Sequence, residues 1–300
     1  MSLIRYRKIT YIISGILVGL SIIFVLVWGL KLGIDFTGGS LLEVEFTATR
    51  PTLDELHRRL AAASFANAVI QPTGERGALV RTEHLAEDRH QALLSALGGG
   101  ESTGLAEKRF DVIGPTIGKE LEKQSVWAVV LVIGLIVLYI AWAFRKVSEP
   151  VSSWKYGVAT VIALVHDVAI PIGVFAVLGH FFGIEVDTLF VTALLTILGF
   201  SVHDTIVVFD RIRENLKVSQ GRLAFDAIVG KSIGETITRS INTSLTVLLV
   251  LLAIYFFGGK SAEYFSLALI VGIFFGTYSS ICLASPILVS WHQWSVRRKR

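Results

Sequence analysis

Five ionisable side chains lie within or at the mouth of strongly apolar stretches of the chain: His166 and Asp167, His203 and Asp204, and Arg239. An ionisable group inside a membrane span is expensive to insert and marks a functional site by default. The chemistry this set offers is proton carriage. Removing a carboxylate from water favours its protonated form, and a neighbouring guanidinium favours the ionised one. An aspartate that meets and leaves an arginine as helices shift therefore loads and releases a proton. A transmembrane potential supplies about 2.3 kcal/mol per charge per 100 mV. That is comparable to the roughly 2.5–3.5 kcal/mol cost of a charge at helix centre, so the field is large enough to bias such a step. The competing arrangement is a static ion pair that fixes helix register. Each histidine is either a proton carrier near neutral pH or a neutral, hydrogen-bonded imidazole.

The faces carrying these groups follow from helical spacing. Thr192, Thr196, Gly199 and His203 share one stripe, and Asp204 lies 100° around from it, flanked by Ser201 and Thr205. Arg239, Asn242 and Thr246 form another stripe. Such stripes face protein or water rather than lipid. The simplest packing aims Asp204, Arg239 and Asp167 at one another or at a shared wet cavity. If the fourth helix ends at Val208, Asp204 is a group of the cytoplasmic mouth; if the helix continues through Asp210, it is a buried one. No zinc ligand set, catalytic nucleophile–base pair or cofactor motif is legible, so no catalytic residue, metal or cofactor is expected.

The elements that position these groups are membrane helices. Of 300 residues, 53% are hydrophobic and only 17% charged, against roughly 25% charged in soluble domains. Six segments reach the roughly 20 apolar residues needed to cross a bilayer: Ile9–Leu30, Ser125–Phe144, Lys155–Leu178, Thr188–Val208, Ile241–Phe257 and Phe265–Trp291. Basic residues cluster before the first span, between the second and third, between the fourth and fifth, and in a 292–300 tail ending Arg297-Arg298-Lys299-Arg300. Alternating helices put all four clusters on one side, the cytoplasm, with both termini inside. Residues 31–124, with 11 Lys/Arg against 14 Asp/Glu, fall outside.

Residues 40–113 read as a compact β-α-β-β-α-β unit, which suggests a ferredoxin-like sandwich. Leu42, Val44 and Phe46 alternate with Glu43 and Glu45 as in a half-buried strand. Thr52 to Glu55 is a capping box opening a helix to Ala63. Strands are expected at Ala68–Gln71, Ala78–Thr82 and Leu105–Ile113, and a second helix at Leu85–Leu97, stopped by Gly98–Gly100. His57, His84 and His90 read as solvated surface histidines. The fold class is thus a six-helix membrane bundle with an α+β ferredoxin-like extramembrane domain. Its boundaries are 1–30 for the N-terminus and first span, 31–124 for the outer domain and 125–291 for spans two to six. Within the last, 209–238 is either an amphipathic helix pair at the cytoplasmic surface or a connecting loop. Gly272, Gly276, Ser280 and Ala284, and likewise Gly15 and Gly19, form small-residue stripes for close helix packing or a partner's face. Thr277–Ser280 is assigned no chemical part.

At these residues the chain resembles the SecF family of bacterial protein-export subunits, within the resistance–nodulation–division superfamily. The resemblance rests on Gly33-Ile-Asp-Phe-Thr-Gly-Gly39, on Gly114-Pro-Thr-Ile-Gly-Lys-Glu-Leu121 and on the His166-Asp167 pair. It rests also on the run from Gly199 through His203-Asp204 to Asn215, on Arg239-Ser-Ile-Asn-Thr-Ser244, and on Gly276 to Pro286. It implies a SecD partner supplying a second six-helix half, association with the SecYEG channel, contact with unfolded preprotein outside, and residence in the bacterial inner membrane. It implies proton-driven completion of export, with Asp204 and Arg239 as proton-pathway residues and Asp167 in the third-helix His-Asp pair. One departure is His203, where the family usually carries Asn. Two other functions compete: half of a proton-coupled small-molecule exporter, and a non-transporting scaffold of the channel. A single domain of about 70 residues offers little room for a substrate pocket of several hundred Å3. An enzyme is not expected.

Overall fold

The computed structural model describes residues 2–99, 104–144 and 151–298. Gly100, Arg145, Lys146, Lys299 and Arg300, used above for a helix stop and for orientation, lie outside these. In chain order the elements are α1 (Ser2–Arg5), α2 (Arg7–Trp28), α3 (Ile34–Thr37), β1 (Gly39–Phe46), α4 (Leu53–Ala62), β2 (Val69–Thr73), β3 (Gly77–Thr82), α5 (Glu87–Gly98) and β4 (Leu105–Ile113). There follow α6 (Pro115–Ala143), α7 (Ser153–Phe182), α8 (Thr188–Ser219), α9 (Phe225–Phe257), α10 (Lys260–Ser279), a π turn (Ser280–Ala284) and α11 (Ser285–Arg297). The chain divides into two units, Met1–Lys31 with Val126–Arg300, and Leu32–Ser125.

Among the described residues six helical segments are long and apolar enough to cross a membrane: α2, α6, α7, α8, α9, and α10 continuing through the π turn into α11. The expected spans overlap them, the first overrunning α2 by two residues and the second overrunning α6 by one, while the fourth and fifth helices extend well past their expected cytoplasmic ends. At 1.5 Å per residue, the 32 residues of α8 and 33 of α9 measure about 48–50 Å, well beyond a hydrocarbon core of about 30 Å. Segment 209–238 is therefore a helix pair and not a connecting loop, and the pair is continuous with the spanning helices rather than separate from them. It is the projecting end of one helical hairpin, turned at Gln220 and Gly221, whose φ of 46° and 78° is left-handed. Ile212, Ile228, Val229 and Ile233 are buried in the hairpin. Asn215 donates to Ser232 at 2.9 Å and to Glu235 at 2.8 Å, and Arg211 pairs with Glu235 at 2.6 Å.

Small residues set the helix spacing. A Cβ on Gly272 of α10 would lie 2.1 Å from Ile197 of α8, and one on Gly173 of α7 would lie 2.4 Å from Ser21 of α2. Gly15 and Gly19, by contrast, have nothing within 4 Å, so among the described residues that stripe meets no other part of this chain. Besides Pro115 at the first position of α6, two prolines lie inside the spanning segments, and each removes the N–H that its residue i−4 would receive. Pro286 leaves the Cys282 carbonyl without its helical donor, and the Thr10 hydroxyl of α2 supplies one at 2.8 Å. The π turn spans this point, as helices bend where the ladder is broken. Pro171 likewise removes the helical donor for the carbonyl of Asp167.

The second unit is an antiparallel four-stranded sheet of order β2-β3-β1-β4 among the described residues. Leu42, Val44 and Phe46 point to one face, where they pack with Leu56 and Leu60 of α4 and Leu93 and Leu97 of α5. Thr52 caps α4 by accepting from the Glu55 N–H at 3.3 Å. The reciprocal half of the box is not made, because the Glu55 carboxylate accepts from Arg59 instead. The Gly33–Gly39 motif forms a tight turn. Gly38 (φ 75°) would put a Cβ 2.8 Å from Pro115, and Gly39 (φ 130°) one 2.7 Å from the Thr82 carbonyl. His57 and His84 are exposed, but His90 is not. It is 5% exposed and stacked 3.6 Å from the Phe110 ring. Its position on the inner face of an amphipathic helix buries it, which the charged neighbours in sequence conceal.

Candidate functional site

Asp204 sits within α8, because the helix runs on past Val208 without a break. It is 7% exposed. Ser240 of α9 donates its hydroxyl to Oδ1, while Oδ2 is buried with no hydrogen-bond partner among the described residues. A buried carboxylate oxygen without a donor is costly. Asp204 lines a small cleft together with Phe200, His203, Val207, Arg239, Thr243 and Ser244. Asp204 and Arg239 thus share one cavity, as the helical stripes suggest, yet no ion pair joins them among the described residues. His203 and Arg239 are both exposed. Thr192, Thr196 and Gly199 along α8, and Asn242 and Thr246 along α9, are exposed as well. Ser244 connects the cleft to α10 through a 2.5 Å hydrogen bond with Thr277.

Asp167 is not in this cleft. It is fully buried between α7, α8 and α10. Ser201 of α8 donates to its Oδ2 at 2.5 Å, Ser279 of α10 donates to the same oxygen at 2.7 Å, and Nδ1 of His166 lies 2.8 Å from Oδ1. The packing that would gather Asp167 with Asp204 and Arg239 is therefore corrected: α8 stands between two separate constellations. Asp204 and Ser201, three residues apart, face different neighbours. His166 is 2% exposed, with Nε2 unpartnered among the described residues, and its ring lies 5.9 Å from that of Tyr278. The Tyr278 hydroxyl donates in turn to the Thr10 carbonyl of α2 at 3.2 Å.

Ser240 and Ser279, whose hydroxyls bond the two aspartates, are not among the residues that the sequence singles out. Ser240 and Ser279 are common helix-compatible residues in apolar runs, and nothing in their spacing names their partner. Ser279 belongs to the segment Thr277–Ser280 assigned no chemical part; it and Thr277 in fact bond to the two constellations. The available signal was small, namely that Ser240 and Ser279 each sit inside a polar cluster of an otherwise apolar span.

The arrangement matches known proteins over almost its whole length. A family model described as protein export membrane protein SecD/SecF, C-terminal, matches residues 99–294, and one for the SecD/SecF GG motif matches residues 23–49. Protein translocase subunit SecF of Thermobaculum terrenum is 43% identical, over 97% of this chain and 94% of that protein. Protein translocase subunit SecDF of Thermus thermophilus is 38% identical, over 88% of this chain and 35% of that longer protein. A crystal structure of SecDF from Thermus thermophilus, described as a translocon-associated membrane protein, superposes with a TM-score of 0.83 at 36% identity. It covers 97% of this chain and 38% of that one. SecDF in a super-membrane-facing form gives 0.67 over the whole chain. With six spanning helices, a small antiparallel sheet and these relatives, the chain belongs to the SecF family of protein-export membrane subunits.

Proposed function

We propose that this chain is one half of a proton-motive-force-driven machine that completes preprotein export through the SecYEG channel, with SecD as the other half. It acts in transport rather than as an enzyme. The observation that carries this is the single unpartnered oxygen of Asp204, buried in a membrane span yet bordering a cleft that also holds His203 and Arg239. A carboxylate so placed gains most from a proton when the cleft is dry, and from Arg239 when the helices move the guanidinium closer. In this scheme Asp204 is the loading group and Arg239 releases it. His203 is the proton's entry neighbour, and the His166–Asp167 pair is a second buried acid–imidazole site.

The partner assignment rests on the exposed polar groups of α8 and α9. His203, Arg239, Asn242, Thr192 and Thr196 would be unfavourable against lipid, and a second six-helix half covers them. The relative named SecDF, of which this chain matches about a third, supports a partner half carried on one polypeptide in that case. The β-α-β-β-α-β order and the strand order support a ferredoxin-like fold for residues 40–113. The clusters of basic residues support the inner membrane of a bacterium with both termini in the cytoplasm. Residues 31–124 then lie on the outer face, where they contact emerging preprotein.

The test is Asp204→Asn in the complex with SecD, reconstituted in vesicles with SecYEG and an imposed proton gradient. The gradient-stimulated part of export should vanish while co-purification with SecD persists. Export that still responds fully to the gradient would rule the scheme out.

A further inference from the structure

We propose that the N-terminal end of α7 and the C-terminal end of α11 form a binding site for an anionic phospholipid of the adjoining leaflet. Two cations are held there by hydroxyl and indole contacts. The Lys155 ammonium donates to Ser295 at 2.9 Å and lies 5.5 Å from the Trp291 ring centre and 6.0 Å from that of Trp154. The Arg298 guanidinium lies 5.4 Å over Trp294. Trp154 and Trp291 meet edge to face at 4.8 Å, which holds the two helix ends together. Among the described residues no Asp or Glu lies within ion-pair distance of Lys155 or Arg298. Segments 151–166 and 264–300 themselves contain no acidic residue. Arg211 and Arg213 of the hairpin, by contrast, pair with Glu214, Glu235 and Asp210.

An ammonium held by a hydroxyl and two indole faces is oriented but not neutralised. Its field therefore attracts an anion. The anion is part of a lipid because of what adjoins it. Trp154, Val158, Ile162 and Val165 of α7 are 55%, 37%, 42% and 51% exposed. Their spacing of four, four and three puts them on one helical stripe that runs from Trp154, beside Lys155, into the span. A headgroup phosphate at Lys155 and Arg298 thus has an apolar lane for its acyl chain directly beneath it. Basic clusters between helix ends, flanked by tryptophan, recognise anionic headgroups at membrane interfaces in this way.

The test is native mass spectrometry of the full chain in detergent micelles, with dioleoyl phosphatidylglycerol, dioleoyl phosphatidylcholine or inorganic phosphate as probes. Phosphatidylglycerol should be retained in preference to phosphatidylcholine. Lys155→Gln and Arg298→Gln should each weaken its retention about five-fold, and Lys155→Arg should retain it nearly as well as the parent. Arg298 lies in an exposed last turn, so its variant gives a result even if Lys155→Gln misfolds. Equal retention of the two lipids would overturn the proposal, as would an unchanged double variant. Displacement of the lipid by excess inorganic phosphate would overturn the lipid assignment. None of these measurements depends on export activity.

Discussion

Ser201 of α8 donates a 2.5 Å hydrogen bond to Asp167 of α7, and it does so from three residues before Asp204 on the same helix. One α8 turn thereby holds two buried carboxylates apart. The flank bearing Ser201 is fastened to α7 and α10, and the flank bearing Asp204 borders α9 and the cleft. Next to these, Thr205 bonds to Ser280 at 2.8 Å, so α8 is tied to the π turn just where Asp204 sits.

If this tie organises the bundle, Ser201→Ala and Ser279→Ala should each destabilise the membrane unit by about 1–2 kcal/mol. Reversible unfolding in bicelles measures this. A Ser201→Ala protein as stable as the parent would mean that Asp167 is fully served by its remaining donors.

The glycines make a contrasting pair. Gly272→Ala forces a methyl into the space of Ile197 and should cost about 1–3 kcal/mol. Gly15→Ala meets nothing within 4 Å and should be neutral or stabilising by up to about 1 kcal/mol, from helix propensity alone. Thermal unfolding of the two variants side by side decides it, and equal effects would contradict the helix spacing described above.

Thr10 and Pro286 should be energetically coupled across the bundle. Thr10→Val leaves the Cys282 carbonyl unpaired in a medium without water. Pro286→Ala restores the N–H that closes that bond within the helix. A double-mutant cycle should therefore show Thr10→Val to be cheaper by about 0.5–1.5 kcal/mol in the Pro286→Ala background. Strict additivity would mean that the Thr10 hydroxyl contributes nothing at the π turn.

In the outer domain, Lys108 sits at the β-bulge between Glu43 and Val44 and pairs with Glu45 at 2.7 Å. The ammonium holds the Glu45 carboxyl below its ordinary 4.5, and the carboxylate holds Lys108 above its ordinary 10.5. An acid with a depressed folded value stabilises fully above its unfolded value and loses that contribution as pH falls through the folded one. The base with a raised folded value does the converse at alkaline pH. The pair should therefore contribute between about pH 4.5 and 10.5. NMR titration of Glu45 in a Lys108→Gln chain should return its midpoint to the ordinary carboxylate range. An unmoved midpoint would assign the depression to another group.

The sequence by itself determined what hydropathy and periodicity can encode. Six apolar segments, the strand-and-helix order of residues 40–113, and the identity of Asp167, Asp204 and Arg239 as buried-charge candidates are all local properties, since the bilayer and the pleat act on each segment separately. Only the tertiary structure decided the rest. The 209–238 segment alternates apolar and charged residues, but its helical state and its docking as a hairpin depend on which face meets which helix. His90 is buried because α5 happens to lay it against Phe110. The pairing of Asp167 with Ser201 and Ser279, and of Asp204 with Ser240, joins residues 34 to 112 positions apart. A hydroxyl carries no mark of its distant acceptor in a linear chain, so that division of one charged cluster into two sites had to wait for the packed helices.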